Sequence, residues 1–489
     1  MMNQEKHTLE FYYDISCPFA YIASTRIEAL ASRVNADLIW TPVLLGAIYR
    51  ETSAPQGAAG SASDVFNPTK KNISAASFAR TIKRYQIPYN PSSTHLRKTT
   101  TALRLIHHVS NNERAALTKA LYKAYWVDEA DITDRKVLLD IARKSGIASA
   151  GQLDEDVFGH EEDRRKLERA THDVIKRGSP GVPAFWVKDE VWTDAKGKRR
   201  QGRLYWGQDR MLFVEAQLRA LQLRVPLEKV PNISTLHPRC VWNVPRDLVN
   251  KGVKLEIWYD FSSPWAFLGW TQLESFKKTF GSGLQIEMKP ILLGALFREI
   301  GAPNAPMSVL SEQKRNYANL DISDWPRLWN AVDAQEHTMD KPIEFRFPEK
   351  FPIRTPTLLR CAIVDPSCIP VLYRACWERN LDMSDEKVLA KTLTEAGFDS
   401  SELLTKASKQ SIKDTLRANT QEAKDNGLCG VPSYRVSHRT SNGWKVNGGI
   451  TWGQDESNVV KDLISGWDAE KSGVIADVGI EHQREASRL

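Results

Sequence analysis

The chain has 489 residues, 42% of them hydrophobic and 26% charged, with 67 Lys and Arg against 60 Asp and Glu for a formal net charge of +7. So small a surplus, interspersed with acids, argues against a nucleic-acid partner, and no apolar run approaches the roughly 20 residues that a membrane-crossing helix needs. Six cysteines show neither a CxxC pair nor zinc spacing, so reduced thiols in an intracellular compartment are expected.

In chain order, Leu9 to Tyr13 is a short apolar, aromatic strand, and the segment after Pro18, from Phe19 to about Ala31, has helical periodicity. Leu38 to Leu45 reads as a second strand, giving βαβ. A long helix-patterned stretch, roughly Ser74 to Arg177, is broken by IPYNP at Ile87. Then come GVPAFWV, another strand and a closing helix from Asp209. Arg224 to Gly252, with Pro226, Pro231, Pro238 and Pro245, is expected to be a stiff, extended linker.

After the linker the chain repeats itself. YYDISCPFAY (Tyr12 to Tyr21) returns as WYDFSSPWAF (Trp258 to Phe267), and TPVLLGAIYRE from Thr41 as KPILLGALFRE from Lys289. GVP recurs at Gly181 and Gly430, and WGQD at Trp206 and Trp452. The second copy has strands at Leu255 to Tyr259 and Leu284 to Leu293, a helix from Trp265 to about Phe280, helical pattern from Ser311 to Asn426 broken at Phe345, and a closing helix from Asp455. The expected organisation is therefore α/β in tandem: domain 8–223, linker 224–252, domain 253–467 and tail 468–489. The tail ends in Ser487, Arg488 and Leu489, a variant of the peroxisomal SKL address, so the peroxisome and its import receptor are the expected location and partner, and otherwise the cytoplasm.

The chemistry starts at the residue before the helix-opening proline, Cys17 in copy one and Ser263 in copy two. Proline suits the first helical turn, which places the preceding side chain at the positive end of the helix dipole. A thiol there is expected to have a lowered pKa, and a hydroxyl there can donate to a bound thiolate. A Val-Pro peptide opening a strand is a favourable place for a cis bond, offering the backbone of Val182 or Val431 to an extended peptide.

D-x-S-(C/S)-P after the first strand, a helical insertion, GVP and WGQD before the last helix together resemble the kappa-class glutathione transferases and their relatives, the 2-hydroxychromene-2-carboxylate isomerases. The resemblance spans both copies. It implies two thioredoxin-like, DsbA-type domains, each with an all-helical insertion between its βαβ start and its cis-Pro ββα end, and glutathione as cofactor. Carried over by position, it makes Ser263 the serine that favours the glutathione thiolate, with Cys17 in its place in copy one. Val431 and Pro432, or Val182 and Pro183, would hold the cysteinyl backbone. Lys314, with Lys71 as its counterpart, would meet the glycyl carboxylate. Gln454 and Asp455, or Gln208 and Asp209, would hold the γ-glutamyl end, and Asn304 with Pro306 matches the segment before the inserted helix. The resemblance also implies that the copies pack as an internal pseudo-dimer.

Copy one departs from the pattern at Cys17 and in an Ala, Gly and Ser-rich insertion from Ser53 to Ser63. Cysteine before proline is also the nucleophile of disulfide oxidoreductases of this fold, but their partner thiol would fall at Ala20. Three functions follow as expectations: a glutathione-dependent transferase or isomerase for a hydrophobic, aromatic or enone-like electrophile; a thiol-disulfide oxidoreductase using Cys17; or a non-catalytic scaffold. His107 and His108 read as packing or surface residues, Trp126 and Trp377 as core aromatics, and Cys429 as a small hydrophobe or an oxidisable thiol. No metal cluster rises above noise.

Overall fold

The computed structural model describes residues 6–59, 63–91, 93–194, 196–242, 252–304 and 306–468, so Ser487, Arg488, Leu489 and linker residues 243–251 lie outside the described residues. Each copy builds one four-stranded sheet. In the first, β1 (Thr8–Tyr13), β2 (Asp37–Pro42), β3 (Ala184–Thr193) and β4 (Arg199–Trp206) run in the order β2-β1-β3-β4. β1 pairs parallel with β2 and antiparallel with β3, so Phe11 faces Trp40 on one side and Phe185 on the other. The second sheet repeats this with β5 (Val253–Tyr259), β6 (Leu284–Pro290), β7 (Ser433–Thr440) and β8 (Gly443–Trp452) in the order β6-β5-β7-β8. Ile257 and Tyr434 are cross-strand partners within its core, together with Phe276, Val460 and Trp467.

Two expected elements differ for local reasons. The helix after Pro18 is two pieces, Pro18–Ser24 and Ile27–Arg33, and its twin is Pro264–Thr271 and Leu273–Phe280. The breaks follow Thr25 and Thr271, whose hydroxyls donate back to Ile22 O at 2.8 Å and Leu268 O at 2.7 Å and so compete with the helical ladder. The second strand stops at Pro42 or Pro290, not at residue 45 or 293, because Leu45–Glu51 and Leu293–Glu299 are helical.

The described residues form two compact units, those within Met1–Val65, Gln86–Leu236 and Leu310–Leu320 in one and those within Phe66–Tyr85, His237–Val309 and Asp321–Leu489 in the other. A segment of each copy, 66–85 in the first and 310–320 in the second, groups with the other's sheet. The linker is also not extended throughout. Leu227–Lys229 and Ile233–Leu236 are short 3-10 turns that bury Val230, Ile233 and Leu236, while Cys240 and Val241 pack on the second core.

Within the second unit, helix Pro68–Arg84 is pinned at its far end by a buried charge cluster. Asp462 accepts from Arg84 Nη2 at 2.7 Å, Arg239 Nε at 2.7 Å, Cys240 N at 2.8 Å and Val241 N at 3.1 Å. Burial alone would raise its pKa, but the two guanidinium groups hold it below the usual carboxylate value. Among the described residues, no helix is long and apolar enough to cross a membrane.

Candidate active site

In the second unit, β5 is followed directly by Asp260, whose buried carboxylate organises the turn into helix Pro264–Thr271. It accepts from Ser262 N at 2.9 Å, Leu293 N at 2.9 Å and Thr355 Oγ1 at 2.7 Å, so the two repeated blocks and the helical insertion meet on one side chain. Burial raises its pKa, and these donors counter the rise. Ser263 is the N-cap, with Pro264 in the first turn. Its Oγ accepts from Ala266 N at 3.2 Å and donates to Val431 O at 3.3 Å. The hydroxyl is thus fixed between a helix start and the residue before Pro432.

The Val182–Pro183 and Val431–Pro432 bonds are both cis. Their surroundings explain why GVP and WGQD travel together. A Cβ on Gly430 would meet Trp452 Nε1 at 2.8 Å, and one on Gly269, inside the Ser263 helix, would meet Tyr434 Oη at 2.5 Å and Pro432 Cγ at 3.0 Å. Only glycine lets the tryptophan and the helix approach this closely.

The polar pair after Trp452 begins the closing helix of the second unit. Gln454 Oε1 accepts from Trp329 Nε1 at 3.1 Å, and its buried Nε2 has no hydrogen-bond partner among the described residues. The Asp455 carbonyl accepts from His237 Nε2 at 3.1 Å, and burial lowers the His237 pKa to about 3, keeping that ring neutral. Cys429 is buried, and its thiol is pushed up to about 12 by burial, against the pull of Lys70.

Lys314 lies in the first unit, its Nζ 5.3 Å from the ring centre of Trp206, and neighbouring Tyr317 Oη accepts from Trp206 N at 2.9 Å. Lys71 is exposed on helix Pro68–Arg84. Lys70, one residue earlier, turns inward in the second unit, with Nζ 5.6 Å from the Trp452 ring and 4.4 Å from Phe66. Burial lowers the Lys70 pKa, and the nearby Cys429 thiol counters this. Asn67 caps this helix through Lys70 N at 2.9 Å, and Lys70 is the residue of the pair that stands beside Trp452. Asn304 is exposed ahead of Pro306–Val309, and no hydrogen bond among the described residues ties it to Ser263 or Val431.

The first unit repeats the scaffold with different occupants. Asp14 accepts from Ser16 N at 3.0 Å and Leu45 N at 2.9 Å, and Cys17 Sγ donates to Val182 O at 3.2 Å. The lowered thiol pKa expected from the helix dipole is not what the structure shows. Burial pushes Cys17 up to about 12; the N–H groups of Ala20 and Phe19 pull it down, but the buried Asp14 adds to the rise. The polar pair is also taken. Gln208 Oε1 accepts from Arg26 Nη1 at 3.0 Å, and Asp209 pairs with Arg210 at 2.7 Å.

Trp126 and Trp377 are buried, and each donates to the nucleophile loop, to Ile15 O at 2.9 Å and Phe261 O at 2.8 Å. The roles of Asp260 and Thr355 were missed in the sequence, although the aspartate recurs in register in both copies. A cavity of about 300 Å³ in the second unit lies at the other end of the Ser263 helix, lined by Trp270, Ile286, Met288, Ile369 and Arg374, so it is separate from Ser263.

Comparison with known proteins agrees with this architecture. The profile of the DSBA-like thioredoxin domain matches twice, over residues 8–219 and 254–465. A 2-hydroxychromene-2-carboxylate isomerase of Sphingobium xenophagum is 24% identical over 212 residues, 43% of this chain and 97% of that protein. Its namesake from a Pseudomonas species is 23% identical over 210 residues, 42% and 88% respectively. Among solved structures, a 2-hydroxychromene-2-carboxylate isomerase aligns at 16% identity and TM-score 0.35, covering 48% of this chain and 99% of that one. The cytosolic disulfide reductase DsbM of Pseudomonas aeruginosa aligns at 18% and 0.30, covering 44% and 98%. With both sheets, both cis prolines and both nucleophile loops matched in order, the chain belongs to the DSBA-like thioredoxin domain family, in tandem duplication.

Proposed function

We propose that the second unit is the centre of a glutathione-dependent isomerase or transferase acting on a hydrophobic, aromatic or enone-like electrophile. The observation that carries this reading is the Ser263 hydroxyl, held by Ala266 N–H at a helix start and facing the Val431 carbonyl beside a cis proline. The likeness to two isomerases of the same name supports the reaction class. Polar groups suited to the tripeptide surround the motif: the partnerless Gln454 Nε2, and Lys70, for which no carboxylate partner is found among the described residues.

When bound, glutathione supplies the nucleophilic sulfur. With the thiol proton released to water, the Ser263 hydroxyl would turn from the Val431 carbonyl to donate a hydrogen bond to the sulfur and stabilise it as the thiolate. The Val431 backbone aligns the cysteinyl part, Lys70 meets a terminal carboxylate, and Gln454 with Asp455 holds the γ-glutamyl end. Conjugation and isomerisation use the same groups, and they differ only in whether the thiol leaves again.

The test uses the full chain, because residues 253–467 alone lack Lys70 and Arg84. Calorimetry with glutathione should show binding, and glutathione-dependent isomerisation of 2-hydroxychromene-2-carboxylate or conjugation of an aromatic enone should fall about 100-fold or more in Ser263→Ala. Cys17→Ala should leave both unchanged. Absence of heat at millimolar glutathione would sink the proposal. A thiol-disulfide role for Cys17 is the weaker reading, since burial keeps that thiol protonated and Ala20 stands at the partner position.

A further inference from the structure

We infer that the first unit carries a transition-metal site of the zinc type, built from His108, His160 and Asp163 and distant in sequence from the nucleophile loop. His108 is the last residue of helix Thr100–His108, and His160 and Asp163 are the N-cap and the third residue of helix Glu161–Lys176. The chain thus brings three donors from the ends of two packed helices to one point. His108 Nδ1 lies 2.7 Å and His160 Nδ1 4.0 Å from the same oxygen, Asp163 Oδ2, and all three donor atoms fall within 4.8 Å of one another. Ligands bound to zinc at about 2.0–2.2 Å stand roughly 3.3–3.5 Å apart, so changes of up to about 1.5 Å in these separations, within reach of side-chain rotation, produce the bound geometry.

Two further features favour a metal over a simple ion pair. The Asp163 side chain is only 3% exposed, and its other oxygen is held by Lys166 Nζ at 2.9 Å, which aims Oδ2 at the two imidazoles. Arg104 Nη2 donates to His160 O at 3.1 Å and fixes the loop that carries the second imidazole. This supporting layer is what metal-binding side chains need to keep their orientation.

The second unit shows that the fold does not need these residues. Matching Thr99 to Thr355 and Thr171 to Thr420, which make equivalent contacts, puts Val364, Lys409 and Ile412 at the three positions. The same helix junction forms there without imidazole or carboxylate. Two nitrogen ligands and one oxygen, with a fourth position left for water, match the preference of zinc and of cobalt(II).

Chelator-competition titration of the full chain with zinc should show one equivalent bound, weakened about 100-fold or more in His160→Ala. That histidine is 54% exposed, so its loss leaves the fold intact. Asp163→Asn should weaken binding similarly. Cobalt(II) substitution should give visible bands of nitrogen and oxygen coordination without thiolate charge transfer. Superimposable titrations for wild type and His160→Ala, or a thiolate band, would overturn the assignment.

Discussion

The two nucleophile loops share one backbone and differ in what occupies it. In the first unit a buried thiol donates to Val182 O, and Arg26 and Arg210 satisfy the polar pair from within. In the second, a hydroxyl takes the thiol's place, the arginine positions are Gln272 and Glu456, and Gln454 Nε2 is left without a partner among the described residues. One copy closes its polar subsite with its own cations, while the other keeps an orphaned donor there. Divergence after duplication has therefore fallen on charge and solvation, and the backbone frame has been kept.

The largest expected effect comes from a feature only the second unit has. Asp462 joins Arg84 to Arg239, whereas the matching position of the first unit is the buried Ala216. Asp462→Ala leaves two buried guanidinium groups without their carboxylate and should lower stability by about 3–5 kcal/mol, read by denaturant unfolding with Trp467 as the local probe. If stability changes by less than about 1 kcal/mol, the pin on helix Pro68–Arg84 is not what joins it to this unit.

Next come the matched aspartates. Asp260→Ala strips the acceptor from Ser262 N, Leu293 N and Thr355 Oγ1, and Asp14→Ala does the same to Ser16 N and Leu45 N. Each should cost on the order of 1–3 kcal/mol in thermal or chemical unfolding. Only Asp260→Ala should also abolish glutathione-dependent turnover; equal loss in both variants would mean that both units are active.

The smallest effect is at Cys17, where Cys17→Ser gives the first unit the second's hydroxyl and should shift stability by less than about 1 kcal/mol. Its pH signature is sharper. The folded thiol is raised from 9.0 to about 12, so its stabilising contribution is complete below about pH 9 and is lost as the pH climbs toward 12. Wild type should therefore lose stability over that window relative to Cys17→Ser. Alkylation of Cys17 should be slow at neutral pH and rise without a plateau up to pH 11.

Much of this was legible in the sequence because duplication prints each motif twice. The strand-loop-helix start, the GVP and WGQD elements and the helical insertion could be placed from register alone. Burial could not be read that way, and it decides the Cys17 thiol: desolvation outweighs the helix-start N–H groups, which is a property of packing. Long-range grouping was equally hidden. That Lys70 faces Trp452 while Lys314 faces Trp206 depends on where whole helices dock, and local periodicity is blind to docking. The histidine pair gave the same lesson, since His108 meets His160 and Asp163 across more than fifty residues.

Helix Pro68–Arg84, encoded in the amino-terminal half yet seated on the carboxyl-terminal sheet, makes the gene indivisible. Expressing the carboxyl-terminal half by itself strands Asp462 without Arg84 and removes Lys70 from beside Trp452. What began as two copies of one domain has thereby become interlocked, since neither repeat encodes all the residues of its own unit.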